Sequence, residues 1–418
     1  MTDIDVPARM RAAGWCVLSV AGDDFTKINR ALSDAQKSKT PVFIQVKTQI
    51  GRGSSVAGKP RAHGLGISAD EIGRLASQLL SPRGIDLWAG ITDEPINVVD
   101  ADSMVDIPAV SAPITKGEIS TRELSGIYLN ELIAAGVPLV GGSADLGGST
   151  NSRVAHSRDI TPPGFDGNYI NYGVREHAMG AIMNGLAAAG LRPYGATFLV
   201  FSDYMRPSIR IAALSGLPVI YVFTHDSVAV GEDGPTHQPV EQLPSLRLIP
   251  NLNVFRPCNM AEVAYSWRAA IADIVRPSCI ILSRQKIRQI ETPAATDLSR
   301  GAYVIWPAAT RRVRATIIAT GSEVSFAVAV AKKMGNSVQV VSMPSVGAFR
   351  AQDCRYKRQI LRGFVIAIEA AAAAPWFEFA DAVVGVDEFG VSGPGGAVYK
   401  LMGFDVDAVA RDLAKKIK

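Results

Sequence analysis

LPVIYVFTHDSVAVGEDGPTHQPVEQ, residues 217–242, joins an apolar run to a polar loop. The run 217–223 reads as a short buried strand. The nineteen residues 224–242 hold His225 and His237, two of only five histidines in the chain. Two aspartates, two glutamates, two glycines and two prolines share the segment. It is too broken for a long helix and too polar for a core strand. A polar, glycine-bearing loop at the carboxyl end of a buried strand is where α/β proteins place their chemistry. The competing reading is a solvated loop with incidental histidines, and the scarcity of histidine argues against it.

Working outward, strand and helix patterns alternate on both sides of this stretch. Upstream, Ser120 reads as the cap of a helix to 132, 138–141 as a strand, and 176–189 and 201–214 as helices. Downstream, 254–255 and 279–282 read as strands around a helix at 261–272. Repeated alternation implies a parallel sheet covered on both faces. The scheme returns after residue 300, with strands expected at 316–319, 338–341, 364–368 and 382–386. Helices are expected near Ser322 and Asp405, and the alanine run 370–374 reads as helix or turn. The first 83 residues give strand (15–20), helix capped by Asp23 or Asp24, strand (41–46) and a helix at 68–80. Residues 84–118 read as a linker. The expected division is therefore 1–83, 84–118, 119–290 and 300–418.

The 418 residues carry 43 Lys and Arg against 39 Asp and Glu, a net +4, which argues for neither nucleic acid nor an anionic membrane. Scattered basic residues still suit a small anion such as a phosphate ester. The four cysteines have no paired or metal-like spacing and read as reduced thiols of a cytoplasmic protein. The N-terminus has no apolar core of a signal peptide, and no apolar run approaches membrane-spanning length.

YGVRE at 172–176, GEDGPTHQPVEQ at 231–242, GGSADL at 141–146 and LSRQ at 282–285 resemble the transketolase family, in order and spacing. KTQIGRGS at 47–54, His63-Gly64 and MGFD at 402–405 extend the resemblance over essentially the whole chain. The resemblance implies a thiamine diphosphate-binding α/β fold: a parallel-sheet pyrimidine domain, a C-terminal α/β domain and an N-terminal diphosphate domain. It implies transfer of two-carbon ketol units between sugar phosphates, in a homodimer whose sites lie between subunits.

Site roles follow from the same likeness. Glu176 matches the glutamate that sets the protonation of the cofactor's aminopyrimidine. Its place opening an apolar helix fits a largely buried carboxyl. Phe198, Phe201 and Tyr204 match the aromatic wall around that ring. His237 and Asp233 match groups that contact substrate hydroxyls near the reacting carbons, and His63 and His225 match histidines of the substrate channel. Arg122, Ser149 and Arg284 match the phosphate-end group, where guanidinium pairs bidentately with phosphate oxygens. His156 and His177 have no assigned role and read as structural or surface histidines.

The family's Gly-Asp-Gly with a following asparagine, which holds a divalent metal on the diphosphate, is not found. Residues 1–83 are accordingly expected to be an incomplete remnant of the diphosphate domain. No metal ligand is assigned to this chain, and Mg2+ or Ca2+ would need ligands from another chain. A complementing N-terminal subunit is one reading; a truncated, non-catalytic transketolase-like protein is another. A β-type subunit of a 2-oxo acid dehydrogenase is a third, against which GPTHQPVEQ and Arg284 speak.

Overall fold

The computed structural model describes residues 5–59, 62, 68–80, 117–162 and 164–417. His63 and residues 84–116 of the expected linker lie outside them. The chain divides into two compact units, Met1–Pro95 and Ile96–Lys418.

In the first unit, α1 (Val6–Ala12) precedes β1 (Cys16–Ala21), α2 (Phe25–Gln36), β2 (Val42–Lys47) and α3 (Ala69–Leu80). Asp24 caps α2, accepting from the Lys27 backbone N–H at 3.0 Å. β1 and β2 form a two-stranded parallel sheet. Among the residues of this unit whose burial is described, only Ala31 is buried. Phe25, Leu32, Val46, Ile50 and Ile72 are exposed. Parallel strands are ordinarily covered on both faces, and among the described residues these strands keep exposed or half-buried side chains.

The second unit is built on two larger sheets. Its first strand, β3 (Glu118–Ile119), pairs antiparallel with β10 (Ile287–Arg288). Between them run β4 (Leu139–Ser143), β5 (Tyr169–Asn171), β6 (Arg192–Phe198), β7 (Ile220–Thr224), β8 (Asn253–Phe255) and β9 (Ser278–Leu282). These six make one parallel sheet of order β5-β4-β6-β7-β9-β8. The period of two along β7 sends Tyr221 and Phe223 to one face and Ile220 and Val222 to the other. On the first face they meet Met179 and Met183 of α5 (Glu176–Ala188) and Met205 and Ile209 of α6 (Ser202–Ser215). On the second they meet Tyr128 of α4 (Thr121–Ala134) and Trp267 of the helix Met260–Ala272.

The second sheet holds β11 (Tyr303–Trp306), β12 (Ala315–Ala319), β13 (Val338–Ser342), β14 (Phe364–Ile368) and β15 (Ala382–Val384), in the order β11-β13-β12-β14-β15. All but β11 run parallel. The architecture is thus α/β with parallel sheets.

Five strands escape the sequence reading, the two-residue pair β3 and β10 among them. β5 is only three residues long, β11 is an antiparallel edge, and β6 carries Pro193 and Gly195. The glycine in β6 is there for contact: a Cβ on Gly195 would stand 2.5 Å from the Met183 sulfur. The alanine run 370–374 forms a turn that leads into a 3-10 helix, Ala374–Glu378, and β15 ends at Val384 rather than 386.

Candidate active site

The site lies at the carboxyl ends of β4, β6, β7 and β9. Strand order reverses direction between β4 and β6, and such a switch point is where open α/β sheets form a crevice. A cleft of about 450 Å3 opens there, lined by Arg122, Gly148, Ser149, Phe198, His225, Asp233, His237 and Arg284. A second, of about 360 Å3, is lined by Ala144, Asp145, Leu146, Val174, Glu176, Phe201 and Tyr204. Ten of the eleven residues expected at the site therefore fall in these two clefts, and the eleventh, His63, lies outside the described residues.

The two arginines meet because of the chain around them. Ser120 and Glu123 form a reciprocal capping box that starts α4 and places Arg122 in its first turn. Thr121 Oγ1 then accepts from the Ser283 backbone N–H at 2.7 Å, while Ser283 Oγ accepts from the Thr121 N–H at 3.0 Å. This stitch sets Arg122 beside Arg284, just past β9. Arg122 donates to the Ser149 carbonyl at 2.5 Å, and its Nε is buried with no hydrogen-bond partner among the described residues. Burial first, then the Arg284 charge, lower the Arg122 guanidinium from its ordinary value. An open buried donor on one guanidinium beside a second is a setting that suits an anion.

His225 follows β7 directly. It is buried and adopts φ +62°, a left-handed conformation that costs energy in a non-glycine residue and clusters at functional sites. Its ring stacks on Phe198 with centroids 3.6 Å apart, and its Nδ1 lies 2.7 Å from Thr224 Oγ1. Burial pushes its pKa down to about 3, with Arg122, Arg284 and His237 adding to the effect. The imidazole is therefore neutral at pH 7, able to donate from one nitrogen and accept at the other. Glycines at 231 and 234, both with φ near +80°, turn the chain so that Asp233 and His237 face the same cleft. The His237 ring meets Phe201 edge-on at 5.3 Å.

Phe198, Phe201 and Tyr204 form a continuous stack, with successive centroids 5.9 and 6.0 Å apart. Their spacing of three, at the end of β6 and the start of α6, aligns them and links the two clefts. Glu176 opens α5 in the second cleft. It is half-buried rather than largely buried, because the cleft is open there: Val174 and Tyr204 beside it are 76% and 64% exposed. Asp145, in the left-handed conformation at φ +63°, was not singled out from the sequence. Its signal was present in GGSADL, a polar residue just past a glycine-rich strand. His156 and His177 stand apart from both clefts, the first 3.0 Å from Asn130 Oδ1 and the second 3.4 Å from Ser208 Oγ.

Among the described residues, no three His, Cys, Asp or Glu side chains converge to hold a metal ion. No helix among them is long and apolar enough to cross a membrane.

A parallel sheet with an aromatic stack, a buried neutral histidine and paired arginines at its carboxyl edge defines an α/β protein with a cationic cleft for a small ligand. Comparison with known proteins narrows this class. Residues 117–289 match the transketolase pyrimidine binding domain, 301–405 the transketolase-like C-terminal domain and 1–82 the transketolase thiamine diphosphate binding domain. The chain belongs to the transketolase family. It is 37% identical to a transketolase of Sinorhizobium medicae, an alignment that takes in 100% of this chain and 66% of that protein. A Pichia stipitis transketolase solved with sedoheptulose-7-phosphate superposes with a TM-score of 0.85 at 32% identity, over 99% of this chain and 68% of that one. A structure described as a split-gene transketolase, inactive beta4 tetramer, superposes with a TM-score of 0.58 at 25% identity, over 72% of this chain and 98% of that one.

Proposed function

We propose that this chain carries the pyrimidine side of a transketolase centre. The reaction is transfer of a two-carbon ketol unit from a ketose phosphate to an aldose phosphate. The residues gripping the diphosphate and its metal, Mg2+ or Ca2+, would come from a complementing chain, and the site would be completed in that complex or in a dimer. The carrying observation is the 450 Å3 cleft that gathers Arg122, Ser149, Arg284, His225, His237 and Asp233. The domain division 1–83, 84–118, 119–290 and 300–418 is part of the same proposal.

The second cleft fits the aminopyrimidine of thiamine diphosphate. Its walls are Ala144, Leu146, Val174 and the aromatic faces of Phe201 and Tyr204, and two carboxyls, Asp145 and Glu176, stand at its edge. A flat, basic, nitrogenous ring needs such faces and such an edge. The metal and diphosphate do not fit the described residues, which offer no cluster of ligands. When bound, the cofactor supplies the carbanion chemistry.

The chain's own residues do the rest. Glu176 holds or releases a proton at a ring nitrogen, a general acid–base role. Arg122 and Arg284 hold the phosphate end of a sugar, with Ser149 adding a hydroxyl. His237 and Asp233 read hydroxyls near the reacting carbons, and neutral His225 lines the substrate channel. The exposed apolar residues Phe25, Leu32, Val46, Ile50 and Ile72 support a covering segment from a partner.

The test is ketol transfer from xylulose 5-phosphate to ribose 5-phosphate, by the pure chain and by the complex co-purified from its native cell. The expected result is negligible turnover by the chain alone, turnover by the complex, and its loss in Glu176→Gln. Turnover by the pure chain would overturn the complementation, and full activity of Glu176→Gln would overturn the assigned proton role.

A further inference from the structure

Immediately behind the cleft, one residue past His225, lies a dense cluster of buried charged side chains. Arg256 is fully buried. Its Nε and one terminal nitrogen donate to Asp226 Oδ2 at 3.1 and 2.7 Å. The other terminal nitrogen donates to Thr320 Oγ1 at 2.9 Å and to Glu323. Glu369 Oε1 stands 3.5 Å away, and Glu369 also accepts two bonds from Arg247, at 2.7 and 2.8 Å. Thr320 and Glu323 follow β12, and Glu369 follows β14. The cluster therefore ties the first residues of the histidine loop to the ends of strands in the second sheet.

The far end of the loop is tied to the same part of the chain. Gln238 Nε2 donates to Gly231 O at 2.9 Å and to Val391 O at 3.0 Å. Ser392 Oγ donates to Glu232 O at 2.8 Å. Backbones touch here without side chains between them: a Cβ on Gly231 would stand 2.9 Å from Gly393 O, and one on Gly395 only 2.5 Å from Ala229 O.

Stability alone does not account for the cluster. Three carboxyl groups face two guanidinium groups, and Asp226 Oδ1 is buried with no hydrogen-bond partner among the described residues. An excess buried carboxyl with an open oxygen is a cost. His225, next door, is held in a left-handed backbone conformation that needs a firm neighbour to persist. We propose that Arg256 is a positioning residue: anchored on the second sheet, it holds His225 through Asp226 against Phe198 and in front of Arg122 and Arg284. The C-terminal sheet thereby sets the geometry of the cleft.

The inference rests on reading this loop as part of the site, but its test reads the protein's own imidazole rather than turnover. The ring titrations of the five histidines are followed by NMR in the full chain, with His225→Asn giving the assignment. The groups facing His225 are Arg122, Arg284 and His237, and all three are kept. Removing the Asp226 carboxyl would, as a pure charge effect, lower the His225 pKa further. Loosening the loop instead hydrates the ring and raises it toward its ordinary value. In Asp226→Ala the expected change is upward by at least about one pH unit. Asp226→Asn should show less, because its amide oxygen still accepts from Arg256. Gly395→Ala, which pushes on Ala229 without altering any charge, should shift His225 in the same direction. An unchanged or lowered His225 titration in folded Asp226→Ala would overturn the proposal. If that variant does not fold, Gly395→Ala decides by the same criterion.

Discussion

Burial of a neutral His225 makes stability depend on pH, and His225→Asn should remove that dependence. The folded protein keeps the ring neutral down to about pH 3, against 6.5 for an ordinary histidine. Burial is the main cause, and the two arginines and His237 add to it. In the unfolded chain the ring takes up a proton as pH falls below 6.5. Protonation thus favours the unfolded state, and stability declines from about pH 6.5 down to about 3. Each pH unit in that window is worth about 1.4 kcal/mol, so the loss at pH 5.0 is about 2 kcal/mol relative to pH 7.5. Asparagine is the apt replacement, since it tolerates the left-handed backbone that His225 adopts and does not titrate. The assay is urea unfolding of both proteins at pH 7.5 and 5.0, followed by tryptophan fluorescence. Groups common to both proteins cancel in the comparison. The wild type should lose about 2 kcal/mol more than the variant between the two pH values. Identical pH dependence in both would refute the claim that His225 is buried as the neutral base.

Two further outcomes follow from the packing. Burial alone would raise the Glu369 carboxyl, but Arg247 and then Arg256 outweigh it and hold it at about 2, against an ordinary 4.5. Its stabilising contribution is present above pH 4.5 and lost as pH falls toward 2. Glu369→Gln should therefore cost about 3 kcal/mol at pH 7 and show a shallower decline below pH 4.5, read from urea midpoints. Trp267 is fully buried, donates to Ser125 Oγ at 2.9 Å and meets the Tyr194 ring edge-on at 5.8 Å. Trp267→Ala should cost about 3–5 kcal/mol in the same measurement, and a loss under about 1 kcal/mol would show that the helix pair repacks without it.

Much of the fold was legible because local signals agreed with it. The run 217–223 is apolar without a break, and its core is β7. Ser120 announced α4, and its capping bond is present, with Glu123 returning a second that the structure adds. β6 was not legible, because proline and glycine read as breakers where no neighbour is in view. In the folded sheet Gly195 admits Met183, and Gly141 admits the ring of Tyr194. Those contacts join strands and helices that no local window spans.

The site divides in the same way. The sequence alone determined which residue types are present and in what order: the histidine loop, YGVRE, the arginines and the aromatic spacing. These are properties of short segments, where composition and turn chemistry act locally. Tertiary structure alone decided how exposed Glu176 is, that Arg122 and Arg284 meet through Thr121 and Ser283, and that His225 is neutral. It alone revealed Arg256 as the tie between sheets, with partners 30 to 113 positions away along the chain. Burial and charge proximity are sums over neighbours brought in from distant segments, so they exist only once the chain has closed on itself.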